Sequence, residues 1–286
     1  MPFSYSRWCV VLMLPGNRAI HSGGMLINYI RRGQGKPLLL VHGLGSSWHT
    51  WQTILEPLAA ERAVVAIDLP GFGKSPPLAG EVSVQALAAA VAQFLREHDL
   101  LGTDAVGSSM GGRLVLELAR RGEVLGTVVL LDPGGFWAGW ERLAFQGAIR
   151  MSMRLARTLK FAMPSMAAHG WSRSLFLARF SPRAHQLSPA LVLEEMRSYA
   201  SARSFDPMLK DCMRGAPLEG APLGRMRRPM VIGWGRLDRV CPPRQATRAQ
   251  QLFPDARLHW FERCGHYPHW DAPEETARLI LETTAD

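Results

Sequence analysis

Several stretches of this chain are apolar without interruption, among them Leu38-Leu39-Leu40-Val41 and Val128-Val129-Leu130-Leu131. A strand with one face in water alternates apolar and polar residues. An unbroken run has to be covered on both faces, as in a parallel sheet held between layers of helices. Strand-like runs recur over Met25–Ile30, Pro37–His42, Ala63–Asp68, Asp104–Gly107, Thr127–Asp132, Pro229–Trp234 and Arg257–Phe261. Helical spacing of apolar residues marks Val84–His98, Gly111–Arg121, Pro243–Phe253 and Pro273–Thr284, the last introduced by Asp271, Pro273 and Glu274. The alternation predicts an α/β chain with a mostly parallel sheet, and 286 residues suffice for one large domain.

The alternation lapses between residues 134 and 216. This stretch has no convincing strand, holds seven of the thirteen methionines, and carries twelve Arg and Lys against five Asp and Glu. Its apolar residues recur at helical spacing, as in LAFQGAIRMSMRLARTL and ALVLEEMRSYA. The expected organisation is a core formed by residues 1–133 and 217–286 with a helical insertion, residues 134–216, between two strands of the main sheet. The basic surplus of the insertion predicts arginines in solvent around a pocket mouth, favouring anionic substrates or interfaces, or else a solvated helical face without a role.

Composition removes several classes. The four cysteines, Cys9, Cys212, Cys241 and Cys264, lie far apart without a CxxC, which fits free thiols in a reducing, cytoplasmic compartment. No apolar run reaches the roughly 18–20 residues a membrane-spanning helix needs. Arg7 followed by WCVVLMLP resembles a secretion signal only weakly, with one positive charge and no small-residue cleavage site, so a leading strand or extension is expected. The net charge of +9 is spread over dispersed arginines, with no zinc-finger spacing or RNA-binding aromatic motif. No nucleic-acid partner is expected, although the charge permits peripheral contact with anionic membrane surfaces.

The sharpest chemical signal is Gly107-Ser108-Ser109-Met110-Gly111, which follows the apolar run DAVG and opens the helix-like GRLVLELARR. G-x-S-x-G between a strand and a helix forms a tight turn that exposes its serine and frees neighbouring N–H groups to bind an oxyanion. Ser109 is the candidate nucleophile; Ser108 is the rival, but Val106 stands where its own motif needs glycine. His42-Gly43-Leu44-Gly45 after LLLV offers a second oxyanion donor, so the N–H groups of Leu44 and Met110 are assigned that role and His42 a structural one. In this arrangement the chain order is serine, acid, histidine. That order selects His266, in the loop after RLHWF, as general base, with His269 as competitor and His259 as a strand residue. Asp238, 28 residues earlier at the end of VIGWGRLD, is the preferred orienting acid, and Asp132 is the alternative. Cys264, His266 and His269 lack a fourth ligand of sensible spacing, so no metal is expected. DLPGFGKS nearly matches a phosphate-binding loop, but Asp68 replaces its first glycine and Pro70 removes an N–H; no nucleotide cofactor is expected.

Taken in order, HGLGSSWHTW, DLPGFGKS, GSSMGG, GRLDRVCPP and CGHYPHWDAPE, spread over residues 25–286, resemble the α/β-hydrolase family in its branch with a helical cap. The resemblance implies Ser109 as nucleophile, Asp238 as acid, His266 as base, Leu44 and Met110 as oxyanion hole, an eight-stranded mostly parallel sheet and chemistry without a cofactor. A serine at the nucleophile position disfavours the dehalogenase and epoxide-hydrolase members, which carry aspartate there. The expected activity is hydrolysis of carboxylic esters of small to medium, largely apolar substrates through an acyl-enzyme. A carbon–carbon bond hydrolase acting on a ring-cleavage dienoate and an enol-lactonase remain as alternatives. From another class, a ligand-binding accessory protein with little turnover stays open.

Overall fold

The computed structural model describes residues 26–122, 124–215, 218–226 and 228–285. The apolar WCVVLMLP segment, Cys9 and the beginning of the expected first strand lie outside them. Seven strands form one sheet: β1 (Tyr29–Arg32), β2 (Pro37–Val41), β3 (Ala63–Ile67), β4 (Thr103–Ser108), β5 (Leu125–Leu131), β6 (Met230–Gly235) and β7 (Arg257–Phe261). Their spatial order is β1-β3-β2-β4-β5-β6-β7. β1 runs antiparallel to β3 and every other pairing is parallel.

Three helices follow the early strands: α1 (Gln52–Ala59) after β2, α2 (Val84–Glu97) after β3 and α3 (Met110–Arg121) after β4. Between β5 and β6 the chain makes five helices and no strand among the described residues: α4 (Glu141–Thr158), α5 (Met163–Ala168), α6 (Gly170–Leu177), α7 (Pro189–Ser201) and α8 (Phe205–Arg214). The chain then closes with α9 (Arg244–Leu252) after β6, and α10 (Pro268–Asp271) and α11 (Pro273–Thr283) after β7. No helix among the described residues is long and apolar enough to cross a membrane.

The unbroken apolar runs do what their pattern demands. In β2, Leu39 and Val41 join the core under α2 and α3, while Leu38 and Leu40 pack with Trp51, Ile54, Leu58 and Ile280 on the opposite face. Alternate side chains of one strand therefore enter two separate cores, and both faces must be apolar.

Two expectations need correction. Among the described residues the sheet has seven strands, not eight. Its β1 edge carries the exposed Arg31 and Arg32. The α1 helix was not expected, because it is eight residues long and contains Pro57, which withholds an N–H.

At the end of the sheet remote from the strand C-termini, buried Arg62 ties three segments together. Its guanidinium donates to Asp104 Oδ2 at 2.7 Å, to the Lys36 carbonyl at 2.9 Å and to the Thr284 carbonyl at 2.8 Å. Among the described residues, removing the guanidinium leaves buried Asp104 only the half-exposed Lys36 ammonium, 3.0 Å from the same oxygen, and the Thr127 N–H at 2.9 Å. Arg62→Met is expected to cost about 3 kcal/mol in urea denaturation, with KM unchanged because the cluster lies away from the strand ends that carry the serine.

Candidate active site

Ser109 occupies the turn between β4 and α3 with φ +55° and ψ −117°, a conformation that costs a non-glycine residue energy. Several bonds hold it there: its N–H donates to the Leu131 carbonyl at 2.9 Å, and its own carbonyl accepts from Gly134 N at 3.0 Å and Arg113 N at 3.1 Å. The flanking glycines are sterically required. A Cβ on Gly107 would lie 2.5 Å from the Gly111 carbonyl oxygen, and one on Gly111 would lie 2.3 Å from that of Val41. Ser108 is fully buried, with no hydrogen-bond partner for its hydroxyl among the described residues.

The chain-order argument selects the histidine that the structure places beside Ser109. The Ser109 hydroxyl donates to His266 Nε2 at 2.9 Å, and His266 Nδ1–H donates to Asp238 Oδ2 at 2.8 Å. The other Asp238 oxygen accepts from the N–H groups of Val240 at 2.7 Å and Cys241 at 3.0 Å. The carboxylate thus has one oxygen fixed by backbone and one left for the imidazole. Asp132 lies nearby but makes no bond to His266. Its Oδ1 accepts from Gly235 N at 2.9 Å, joining the ends of β5 and β6. Burial, reinforced by the charge of Asp238, pushes its pKa well above the ordinary carboxyl value.

Three other histidines, His42, His259 and His269, are engaged away from Ser109. His42 is buried; its Nδ1–H donates to the Gly43 carbonyl at 2.7 Å and its Nε2 accepts from Leu69 N at 3.0 Å. His269 is buried against Trp51, contacts the Thr50 hydroxyl at 3.1 Å, and has its pKa lowered to about 3 by burial. His259 on β7 meets Glu275 at 3.0 Å. In the DLPGFGKS turn, Asp68 accepts from Trp48 N at 2.8 Å, Asn28 Nδ2 at 2.7 Å and Lys74 N at 2.9 Å. Its carboxylate lies within 2.3–2.6 Å of where a Cβ on Gly73 would be.

Three residues that sequence reasoning did not single out for the site hold the His266 loop. The Phe180 carbonyl accepts from His266 N at 2.7 Å. Asp271 accepts from Gly265 N at 2.7 Å through Oδ2, and from the Ser181 hydroxyl through Oδ1. The helical insertion therefore positions the histidine through Phe180 and Ser181. Asp271 had a sequence signal, since it precedes a helix-starting proline, but that signal indicated a cap.

A cavity reaches the neighbourhood of the site through Leu44, Phe180 and Tyr267, the last two with rings 6.4 and 5.0 Å from that of His266; Ser109 and His266 are not themselves among its described lining residues. Its volume is about 90 Å³. Helices α4 to α7 supply most of its wall, with Leu155, Met163 and Phe176 among them, and the core supplies Leu44, Ser46 and Trp270. No arginine, lysine or histidine is among its described lining residues, and Glu195 is the one acidic side chain there. The expectation that insertion arginines serve the pocket gains no support from its walls.

An alpha/beta hydrolase family model matches residues 38–279, most of the chain. The chain belongs to the alpha/beta hydrolase family. It is 28% identical to the 2-hydroxy-6-oxo-2,4-heptadienoate hydrolase of Pseudomonas putida, covering 94% of this chain and 96% of that protein. It is also 28% identical to the 2-hydroxy-6-oxo-6-phenylhexa-2,4-dienoate hydrolase of Burkholderia cepacia, over 89% of each. Among solved structures it resembles a thermophilic esterase from Thermogutta terrifontis, with a TM-score of 0.71 at 22% identity over 90% of this chain and 92% of that one.

Two chemical features of this alpha/beta hydrolase bear on what its site can hold. Among the described residues, Asp238, Cys241 and His266 place one potential ligand atom each within 4.8 Å of one another; Cys264 and His269 are not in that group. Both imidazole nitrogens of His266 are engaged by Ser109 and Asp238, and burial keeps the Cys241 thiol protonated, so the group is poorly suited to a cation. Glu195 is buried and its pKa is pushed up to about 8 from an ordinary 4.5 by desolvation. Between those values the folded chain holds a proton that the unfolded chain has released, so stability falls as pH rises towards 8. Glu195→Gln removes that slope. In urea denaturation at pH 5, 6.5 and 8, its stability relative to the parent is expected to rise with pH, by a total on the order of a few kcal/mol.

Proposed function

We propose that this alpha/beta hydrolase cleaves neutral carboxylic esters with apolar acyl groups through an acyl-enzyme. Ser109 Oγ attacks the acyl carbon while its proton passes to His266 Nε2. The oxyanion is held by the N–H groups of Leu44 and Met110. Met110 is the first residue of α3, so its N–H has no acceptor within the helix. Gly43 brings the other loop close enough: a Cβ on it would lie 3.1 Å from that of Ser109. Asp238 stabilises the imidazolium and fixes its tautomer. Collapse expels the alcohol, which takes the proton from His266. Water then enters, gives a proton to His266 and releases the acid, regenerating Ser109. We assign residues 134–216 the role of a cap that forms the substrate cavity.

One observation carries the choice of substrate: the apolar cavity whose walls include Phe180 and Tyr267, ring neighbours of His266, has no cation among its described lining residues. The names of the two curated relatives favour a second reading, carbon–carbon cleavage of a dienoate. A dienoate carries a carboxylate, and burying that charge without a paired cation is costly.

A series of p-nitrophenyl esters, from acetate to dodecanoate, distinguishes the readings. We expect kcat/KM to rise by up to about fourfold per added methylene until the cavity is filled, following the free energy of burying each group. A p-nitrophenyl ester with a terminal carboxylate should be poorer than its neutral partner, and 2-hydroxy-6-oxo-2,4-heptadienoate should turn over slowly. Faster cleavage of the dienoate than of every ester overturns the proposal.

A further inference from the structure

Glu195 projects from α7 on the cavity wall and belongs neither to the proposed proton relay nor to an ion pair. It is 7% exposed, and its Oε2 accepts from the Ser46 hydroxyl at 2.8 Å. Its Oε1 has no hydrogen-bond partner among the described residues. The contrast with its neighbour is informative: Glu194 pairs with Arg197 at the surface, at 3.2 Å. A buried polar atom without a partner costs about 1–3 kcal/mol, a cost that a leucine or methionine at this position would avoid. Both residues of the Glu195–Ser46 pair line the cavity, among side chains such as Leu44, Met196 and Tyr267.

We propose that Glu195, held by Ser46, is a specificity-determining subsite that receives a hydroxyl group carried on the acyl chain of the substrate. This rests on the ester-hydrolase reading above. The chemistry of the pair selects the group. A neutral carboxyl whose Oε2 is occupied by Ser46 offers at Oε1 one O–H to give and a lone pair to accept with, and a hydroxyl both accepts and donates. An alkylammonium would require an ion pair within apolar walls, and a carboxylate would face a carboxyl with no cation nearby. The neutral state is supported by the burial that raises the Glu195 pKa to about 8.

The position also limits where on the chain the hydroxyl sits. Ser46 follows Leu44, the assigned oxyanion donor, by two residues, so their Cα atoms are at most about 7 Å apart. A hydroxyl on C6 of the acyl chain, five carbons beyond the carbonyl carbon, spans that distance. The fit between α7 and this loop is tight, since a Cβ on Gly45 would lie 2.4 Å from the ring of Tyr199. The subsite is therefore held rigidly against the loop that also carries Leu44.

The test compares p-nitrophenyl 6-hydroxyhexanoate with p-nitrophenyl hexanoate in the parent, Glu195→Leu, Glu195→Gln and Ser46→Ala proteins. The readout is the ratio of their kcat/KM values, because a site built around a hydrogen bond discriminates against the partner that lacks it. We expect the hydroxyl preference to fall about tenfold or more in Glu195→Leu, to fall partly in Ser46→Ala, and to survive in Glu195→Gln, whose amide also donates and accepts. A purely structural carboxyl would move both esters together. An unchanged ratio in Glu195→Leu overturns the subsite while leaving the ester reading intact. Should the parent hydrolyse neither ester, the ester reading fails and the subsite is still judged by binding. Calorimetry with 1,8-octanediol and 1-octanol on the parent and Glu195→Leu must show the same loss of diol preference, and equal preference in the two proteins overturns it.

Discussion

Ser109→Ala should abolish labelling by a fluorophosphonate probe and lower ester turnover by about 10⁵–10⁶, while the urea midpoint stays within experimental error. The loss is large because, in the proposed mechanism, this hydroxyl is the one group of the proton relay that forms the covalent bond. What remains is the contribution of oxyanion donors and binding, a residue of roughly 10³–10⁴ over water in enzymes of this kind. The fold is expected to persist because the positive φ of the turn is enforced by backbone bonds to Leu131 and Gly134, which alanine keeps. The glycines at 107 and 111 provide the space, and they are untouched by the change. Ser108 offers no substitute nucleophile, since it is buried at 0% exposure and its hydroxyl makes no hydrogen bond among the described residues, whereas His266 Nε2 is bonded to Ser109. Labelling that survives in Ser109→Ala and disappears in Ser108→Ala would reverse the assignment.

Much of the site was legible because its parts are local in sequence. A strand ending in Gly-x-Ser-x-Gly, a strand ending in His-Gly and a late Gly-His are each short patterns whose chain order carries information. The sheet was legible for a related reason: β2 to β6 are covered on both faces, and a two-faced strand has an unmistakable composition. Legibility declined where one face or one contact sufficed. β1 covers Tyr29–Arg32 rather than Met25–Ile30, because an edge strand that ends in two exposed arginines lacks an apolar run to mark it. Phe180, Ser181 and Glu195 were missed because their partners His266, Asp271 and Ser46 are 86, 90 and 149 residues distant, and only the packed insertion brings them together. The two carboxyls offered as orienting acid were both at strand ends, and sequence could rank them but not show that one is bonded to the imidazole and the other to backbone.

That difference sets the second large effect. Asp238→Asn should lower turnover by about 10⁴ with the fold preserved, as for the corresponding change in serine proteases. Asp238 Oδ1 is committed to Val240 N and Cys241 N, both of which must donate, so the asparagine amide oxygen is drawn to that position. Its NH₂ then faces His266 Nδ1 and can only donate, which holds the proton of a neutral imidazole on Nε2, where the base must be free to receive the proton of Ser109. Asp132→Asn should behave differently. Burial and the neighbouring Asp238 charge already favour the neutral form of Asp132, and an amide is close to a protonated carboxyl in shape while keeping an oxygen for Gly235 N. We expect that variant to lose at most about tenfold, the scale of a residue outside the relay. The pH profile separates the two further, since only a change that alters the imidazole's partner should move the titration of the base in kcat/KM. If Asp132→Asn proved the more damaging variant, the role of orienting acid would pass to the end of β5, and Asp238 would be left with the loop-forming part of its present bonds.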